Sequence, residues 1–176
     1  MQPDGQSGYQ PKEDSMKKAL LILAAAATLS PLGAGAQALI TERSLSLDAA
    51  MELATAAIAH CRKDGYKVTI TVLNRHARTA VILSDDGINP HTIENSMRKA
   101  YTSFTTRSPS VEMGKRTNPG LAGFMQLEKI TTQEGGLPIF AGKELVGAAG
   151  ISGAPGGEKD TACVQAGIDK IAKSLN

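Results

Sequence analysis

Two neighbouring cations and a phenol stand close together in one helical segment of the chain. Arg98 and Lys99 precede Tyr101 by a few positions. Cations beside an aromatic ring could hold an acidic ligand at the edge of an apolar pocket. Paired charges are also typical of a solvated helix face that binds nothing, and the sequence alone leaves both interpretations open.

The histidines His60, His76 and His91 show no spacing that would bind a metal ion. No two of them stand at the i, i+4 spacing that places two imidazoles on one helix face. His60 lies away from the apolar stripe of its predicted helix, and His91 falls in the first turn of a helix, so surface positions are expected for both. His76 is predicted in a hairpin turn, from which its side chain could reach the mouth of a pocket.

Glycine-rich segments could place backbone N–H groups against an anion. Gly135 and Gly136 precede a predicted strand, and Gly153 opens a loop that leads into the last predicted helix. Backbone amides and a helix N-terminus together favour negative charge. Because Glu158 and Asp160 follow directly and would repel an anion, a simple strand-to-helix turn is the competing interpretation.

Hydrophobic periodicity predicts the helices and strands that position these residues. The predicted helices are Ser46–Lys63 with Ser46 as its N-cap, a middle helix that opens with Asn89 as its N-cap and Pro90 in its first turn and closes at Arg107–Pro109, and Lys159–Leu175. The predicted strands are Val68–Leu73, Arg78–Ser84, Leu137–Phe140 and Glu144–Ser152. Residues 110–133 have weak periodicity and are interpreted as a long connection with a helical turn or two.

The order of these elements predicts an α/β fold of the α+β type, with a central antiparallel sheet flanked by helices. The strand pattern of residues 68–73 indicates one buried face. The middle helix has an apolar side. That side is formed by Ile93, Met97, Ala100, Tyr101 and Phe104.

Composition excludes some classes of function. The chain has 176 residues and a formal net charge of +2, with no Trp, 3 Tyr and 3 Phe. A dedicated nucleic-acid binder would carry a larger basic excess and more aromatic surface for stacking on bases. We therefore expect no nucleic-acid partner.

The N-terminal segment predicts export. Two lysines precede the apolar run Ala19–Leu29, and small residues follow at a spacing that suits cleavage before Gln37. Residues 16–36 are thus interpreted as a secretory signal peptide, residues 1–15 as an upstream extension, and residues 37–176 as one mature domain. The apolar run is too short to span a bilayer, so we expect no retained membrane span and a periplasmic or secreted protein.

The two cysteines, Cys61 and Cys163, admit two interpretations. In an oxidising compartment they could form a disulfide. Each also falls on an apolar helical stripe, where a free thiol packs as a small hydrophobic side chain. The sequence does not decide between them.

Ordered motifs resemble the GlcG/HbpS family of haem (heme)-binding proteins, with its DUF336-like domain. GGLPI at Gly135–Ile139 is followed by VGAAGISGAPGGEKD at Val146–Asp160, and SLDAA at Ser46–Ala50 precedes both. The resemblance runs from about residue 45 to residue 171. It implies an antiparallel sheet flanked by helices, self-association into a homo-oligomer and, in exported members, haem binding. A fold does not by itself fix the ligand.

On this resemblance we expect an exported protein that sequesters haem or hands it on, and that is not a dedicated catalyst. A haem site needs an apolar slot, cations for the propionates and an iron ligand. Arg98, Lys99 and Tyr101 are the expected anchors, and His60 and His76 are the candidate iron ligands. The expected partners are haem or another small molecule, other copies of the chain, and a membrane sensor or transporter.

Two alternative functions stay open. The first is an enzyme of proton-transfer, lyase or isomerase type acting on a small metabolite. It would hold an oxyanion on the backbone of Gly135–Gly136 and Gly153–Ala154 and use His76 or Glu134 for proton transfer. The second is a haem- or corrinoid-sensing accessory subunit. Asn74 stands where many relatives have aspartate, which removes a charge at the hairpin.

Overall fold

The computed structural model describes residues 39–116 and 122–175. The predicted upstream extension and signal peptide lie outside the described residues. The helices of the described residues are α1 (Leu47–Lys63), α2 (His91–Thr106), α3 (Val111–Lys115), α4 (Ala122–Met125) and α5 (Gly157–Ile171), with a 3-10 helix at Ala172–Leu175. The strands are β1 (Thr69–Asn74), β2 (Thr79–Ser84), β3 (Gly136–Ala141) and β4 (Glu144–Ser152). The chain from Glu42 onward forms one compact unit.

The strands form one antiparallel sheet in the order β2-β1-β4-β3. Hairpins join β1 to β2 and β3 to β4, and β1 pairs with β4 at the centre of the sheet. Gly142 turns the second hairpin with a φ of 64°, a conformation that glycine adopts without strain. The predicted α+β fold with a central antiparallel sheet is confirmed.

Alternation along β1 separates the two faces of the sheet. Ile70 and Val72 belong to the apolar core that α1 and α5 cover. The hydroxyls of Thr69 and Thr71 point the other way and are hydrogen-bonded to α2. Helices therefore cover both faces of the sheet, and the prediction of a single buried face for this strand was wrong.

Small side chains let α1 and α5 pack closely. A Cβ added at Gly167 would lie 2.7 Å from the carbonyl oxygen of Leu53. A disulfide between Cys61 and Cys163 also joins the two helices, which decides between the two interpretations of the cysteines. In the chain-entropy account, closing a loop of this length stabilises the fold by roughly 4–5 kcal/mol.

The helix starts show how local signals act. Ser46 is the N-cap of α1, as predicted, because its Oγ accepts the N–H of Ala49 at 3.2 Å. The prediction for α2 was off by one position. Pro90 takes the N-cap place instead of Asn89, and no side chain caps that helix. Proline suits this end because it has no N–H to satisfy and its φ is already helical.

Glycines on the sheet let α2 lie directly on the strand backbone. Gly136 and Gly150 are paired across β3 and β4. A Cβ at Gly150 would lie 2.5 Å from the amide nitrogen of Ala100, and one at Gly136 would contact the backbone carbonyl of Lys99. One glycine in each of the motifs 135–139 and 146–160 is thus explained by the close packing of α2 on the sheet.

Candidate functional site

The side of α2 that faces the sheet is polar. The hydroxyl of Thr92 is hydrogen-bonded to Thr69 and that of Ser96 to Thr71, each at 2.8 Å. Lys99 lies on the same side and is 3% exposed. Of the residues on the predicted apolar side of this helix, only Ala100 is buried. Hydroxyl pairs and glycines on the strands pack against the polar side of the helix.

The apolar residues of α2 instead form an outer stripe: Ile93, Met97, Tyr101 and Phe104. Their spacing places them in one line along the helix. Ile93 is 45% exposed, and the other three are partly exposed. The outer stripe is therefore an apolar surface that the sheet does not cover.

Cations border the outer stripe. Arg98 forms an i, i+4 ion pair with Glu94 at 2.6 Å on the surface of the helix. The Nζ of Lys129 lies 5.5 Å from the centroid of the Tyr101 ring. The stripe also offers a phenol, and Met97 offers a thioether, both of which are side chains that bind haem iron in proteins.

A cleft of about 420 Å³ opens on the opposite side of α2, where β4 ends. Its walls come from the first half of α2, the segment before β3, and the loop from β4 to α5. His91, Asn95 and Lys99 line it at i, i+4, i+8 spacing, together with Glu134 and Asp160. The cleft is polar, in contrast to the outer stripe.

A buried ion pair forms part of the cleft wall. The Nζ of Lys99 donates to Oδ2 of Asp160 at 2.7 Å, and both side chains are 4% exposed. The N–H of Ala154 donates to Oδ1 of the same carboxylate at 3.1 Å. Burial raises the pKa of the Asp160 carboxyl, while Lys99 and the Ala154 amide act to lower it. Lys99 is thus not on a solvated helix face, whereas Arg98 is.

The structure separates the predicted site residues into distinct places. Arg98 and Tyr101 lie at the outer stripe, while Lys99 lies in the cleft. His60 is on α1, which packs on the face of the sheet opposite α2. His76 is exposed in the β1–β2 turn, with Nε2 3.8 Å from a carboxylate oxygen of Glu42. Neither candidate iron ligand meets the cationic residues of α2.

The glycines predicted as backbone donors also lie in different environments. Gly136 is buried, and its N–H already donates to Oγ of Ser110 at 3.0 Å. Gly135 has a φ of 120°, and a Cβ there would lie 2.9 Å from the Nζ of Lys99. Gly153 lines the cleft with a φ of 137°. Gly135 thus allows close backbone approach to the ion pair, whereas Gly153 allows close approach to the backbone of Lys67 and Val68.

The surface position predicted for His91 is confirmed, since this residue is exposed, but its place on the cleft wall was not predicted. Asn95 was not singled out in the sequence. His91 and Asn95 lie on the same side of α2 as Lys99. Their i, i+4 spacing is the sequence signal that could have predicted their place in the cleft. The buried partner Asp160 could not be found this way because it comes from another helix.

The departure from the family pattern at Asn74 has a local structural role. Oδ1 of Asn74 accepts the N–H of His76 at 3.0 Å and that of Arg78 at 3.1 Å. Both bonds need an acceptor oxygen and neither needs a charge. An amide can therefore hold this turn in place of a carboxylate.

Across residues 39–116 and 122–175, no group of three or more His, Cys, Asp or Glu side chains is placed to hold a metal ion. Within the same residues, no helix is long and apolar enough to cross a membrane.

Comparisons with known proteins agree with this architecture. The family model described as haem degrading protein HbpS-like matches residues 45–169. A crystal structure of a double mutant of HbpS from Streptomyces reticuli is 31% identical with a TM-score of 0.70, covering 80% of this chain and 95% of that one.

Two further solved structures show the same fold. Klebsiella pneumoniae protein ORFY is 24% identical with a TM-score of 0.72, covering 77% of this chain and 96% of its own. A crystal structure of a PduOC:haem complex is 24% identical with a TM-score of 0.67, covering 73% of this chain and 95% of its own. At this identity the two likenesses concern the fold alone.

Proposed function

The chain belongs to the HbpS-like family, and on this premise we propose that it is an exported haem-binding protein that sequesters haem or hands it on. The outer stripe of α2 is the proposed site. One observation carries this assignment: an apolar line of side chains, uncovered by the sheet, is bordered by Arg98 and Lys129.

The apolar residues supply the contact surface. The flat macrocycle of haem is largely apolar, and covering exposed apolar side chains is favourable by about 25 cal/mol per Å². Ile93 and Met97 stand one helical turn apart, so a flat ligand can lie along both. A monomeric protein gains nothing from leaving such a line in water, which supports a bound partner there.

The cations and the phenol supply charge and a ligand oxygen. Arg98 can turn from Glu94 to a propionate at little cost, since an exposed ion pair contributes about 0–1 kcal/mol. The ammonium group of Lys129 lies over the Tyr101 ring. Among the described residues no hydrogen bond engages the Tyr101 hydroxyl, so it is free to approach the iron. Bound haem would bring the iron and its redox chemistry, and these side chains would hold and orient it.

The cleft is less suited to haem. Its carboxylates, Glu134 and Asp160, would repel the propionates, and Lys99 is already paired. His60 and His76 stay candidate iron ligands from the sequence, but no apolar line comparable to the outer stripe surrounds them. They therefore serve as controls in the test.

The test is a titration of the purified chain with hemin, followed in the Soret region against a denatured control. Saturable binding of one haem per chain with a defined spectrum is expected. Tyr101→Phe keeps the ring and removes the oxygen, so the spectrum should change more than the affinity. Arg98→Gln should weaken binding by about tenfold, or 1.4 kcal/mol.

The control variants are His60→Ala and His76→Ala, which should leave affinity and spectrum unchanged. Weak, unsaturable binding of hemin by the unmodified chain would overturn the proposal. Loss of the spectrum in His76→Ala alone would move the site to the β1–β2 turn. A Soret band that decays during incubation with reductant would indicate haem degradation in place of sequestration.

Export has its own support and test. A disulfide such as Cys61–Cys163 is typical of oxidising compartments and rare in the cytosol. The mass of the chain recovered from the periplasm or medium should correspond to cleavage before Gln37. Recovery of the uncleaved chain from the cytosol would contradict export. Light scattering of the same sample tests the predicted self-association.

A further inference from the structure

The cleft beside Lys99 lies on the opposite side of α2 from the outer stripe, and the proposed haem site makes no use of it. Its volume of about 420 Å³ falls within the range of small-molecule pockets. A buried ion pair is expensive to desolvate and adds little stability compared with apolar packing. The Lys99–Asp160 pair therefore calls for an explanation beyond stability.

The ammonium group of Lys99 has more donors than partners. It carries three N–H donors, and among the described residues it donates to Oδ2 of Asp160 alone. Buried donors in folded proteins nearly always find an acceptor. The remaining N–H groups thus require an oxygen from whatever fills the cleft.

The charge of the cleft indicates whether the oxygen that accepts from Lys99 is charged or neutral. Asp160 neutralises Lys99, and the carboxylate of Glu134 adds a negative charge to the wall. Glu158 folds back over the start of α5, where a Cβ added at Gly156 would lie 2.7 Å from its carboxyl carbon. Carboxylates at both places repel an anion. The acceptor for Lys99 is therefore a neutral oxygen.

The remaining wall offers acceptors to a ligand. Nδ2 of Asn95 donates to Oε1 of Gln133 at 2.7 Å and to Oγ of Ser152 at 3.0 Å. No donor within residues 39–116 and 122–175 is hydrogen-bonded to Oδ1 of Asn95, so this oxygen can accept from a ligand. The carboxylate of Glu134 has one weak partner, the hydroxyl of Thr161 at 3.4 Å. Both groups suit ligand hydroxyls, while Lys99 suits a ligand carbonyl.

We propose that the cleft is a second small-molecule site that takes a small neutral hydroxycarbonyl compound. The carbonyl oxygen accepts from Lys99, and flanking hydroxyls donate to Asn95 and Glu134. Asp160 holds Lys99 in place and cancels its charge. The site is independent of haem because it lies on the other side of α2.

The test measures binding of three probes to the full chain by calorimetry. Monomeric dihydroxyacetone carries both functional groups, glycerol has the hydroxyls without the carbonyl, and glycolate is an anion of similar size. Dihydroxyacetone should bind at least about tenfold more tightly than either of the others. Glycerol offers Lys99 no carbonyl oxygen, and the negative charge of glycolate is repelled by Glu134.

Variants locate the binding. Lys99→Met combined with Asp160→Leu removes both charges together, which avoids a lone buried ion, and should reduce the affinity for dihydroxyacetone by at least about tenfold. Glu134→Gln and Asn95→Ala change half-buried wall residues and should each weaken it by about threefold or more. Arg98→Gln, on the outer side, is the matched control and should leave it unchanged.

Several outcomes would overturn the inference. Absence of binding by all three probes would mean that water alone fills the cleft. Tighter binding of glycolate than of dihydroxyacetone would make this an anion site. Unchanged affinity in Glu134→Gln and Asn95→Ala would remove the site from the cleft, even if the double variant failed to fold. The hemin titration tests the outer stripe on the other side of α2. The haem site and the cleft site can therefore be refuted independently.

Discussion

The two sides of α2 differ in a way that reverses the usual arrangement of an amphipathic helix. The inner side packs on the sheet through Thr92, Ser96 and Lys99, whereas the outer side exposes Ile93 and Met97. Hydrophobic periodicity indicates which side of a helix is apolar, but it does not indicate whether the protein's own sheet covers that side. In the proposal above, the apolar surface of α2 is covered by haem.

The polar inner side of α2 can pack on the sheet because the strands beneath it carry complementary residues. Thr69 and Thr71 supply hydroxyls that satisfy those of the helix, and Gly136 and Gly150 supply room for its backbone. Such paired polar contacts fix one position of a helix more strictly than apolar contacts do, because a shifted helix would leave each of them unsatisfied.

The largest effect is expected from breaking the buried pair on the inner side. Lys99→Met leaves Asp160 as an uncompensated buried charge, so the free energy of unfolding should fall by about 3–5 kcal/mol. Urea denaturation measures it. Adding Asp160→Leu should restore most of the loss. A single variant that loses less than about 1 kcal/mol would mean that solvent reaches the pair.

A smaller loss is expected where α2 rests on the sheet. The methyl group of Gly150→Ala would meet the backbone of Ser96 and Ala100, and neither can move without lifting the helix. The variant should lose about 1–3 kcal/mol in the same assay. Gly123→Ala is the matched control, because a Cβ there meets nothing within 4 Å. Equal stability of the two variants would refute close packing at Gly150.

The sequence predicted the fold well where periodicity and local signals act together. Strand Glu144–Ser152 and the Ser46 cap of α1 are found as predicted, because both depend on residues adjacent in the chain. The family resemblance is confirmed by the match over residues 45–169.

The sequence was less informative about the site, since the site depends on contacts between distant segments. The Lys99–Asp160 pair joins positions 61 residues apart, and local composition cannot indicate that a lysine is buried. For a related reason, the sequence did not indicate which side of α2 packs on the sheet. Which side of a helix is covered depends on the sheet beneath it, and the glycines and threonines there were not interpreted as a helix-binding surface.

A pH dependence follows from the inner side. Because burial raises the pKa of Asp160, the folded chain binds more protons there than the unfolded chain above about pH 4. The stability linked to this proton is present at low pH and is lost as pH rises through the folded pKa. Unfolding free energies of the unmodified chain, relative to Asp160→Asn, should therefore decrease with rising pH. A relative stability that increases over this range would reverse the assigned direction.

The smallest effect on stability is expected on the outer side. Ile93→Gln with Met97→Gln replaces apolar residues that the sheet does not cover by polar residues of good helix propensity. The free energy of unfolding should change by about 0.5 kcal/mol or less per position. Thermal or urea unfolding tests this. A loss of several kcal/mol would place these side chains in the core of the protein.

The same double variant provides the most direct test of the account, by titration with hemin in the Soret region. If haem lies on the outer stripe, the folded variant should bind hemin at least about tenfold more weakly than the unmodified chain, a difference of about 1.4 kcal/mol or more. Hemin affinity equal to that of the unmodified chain would contradict the assignment of the outer side of α2 to haem.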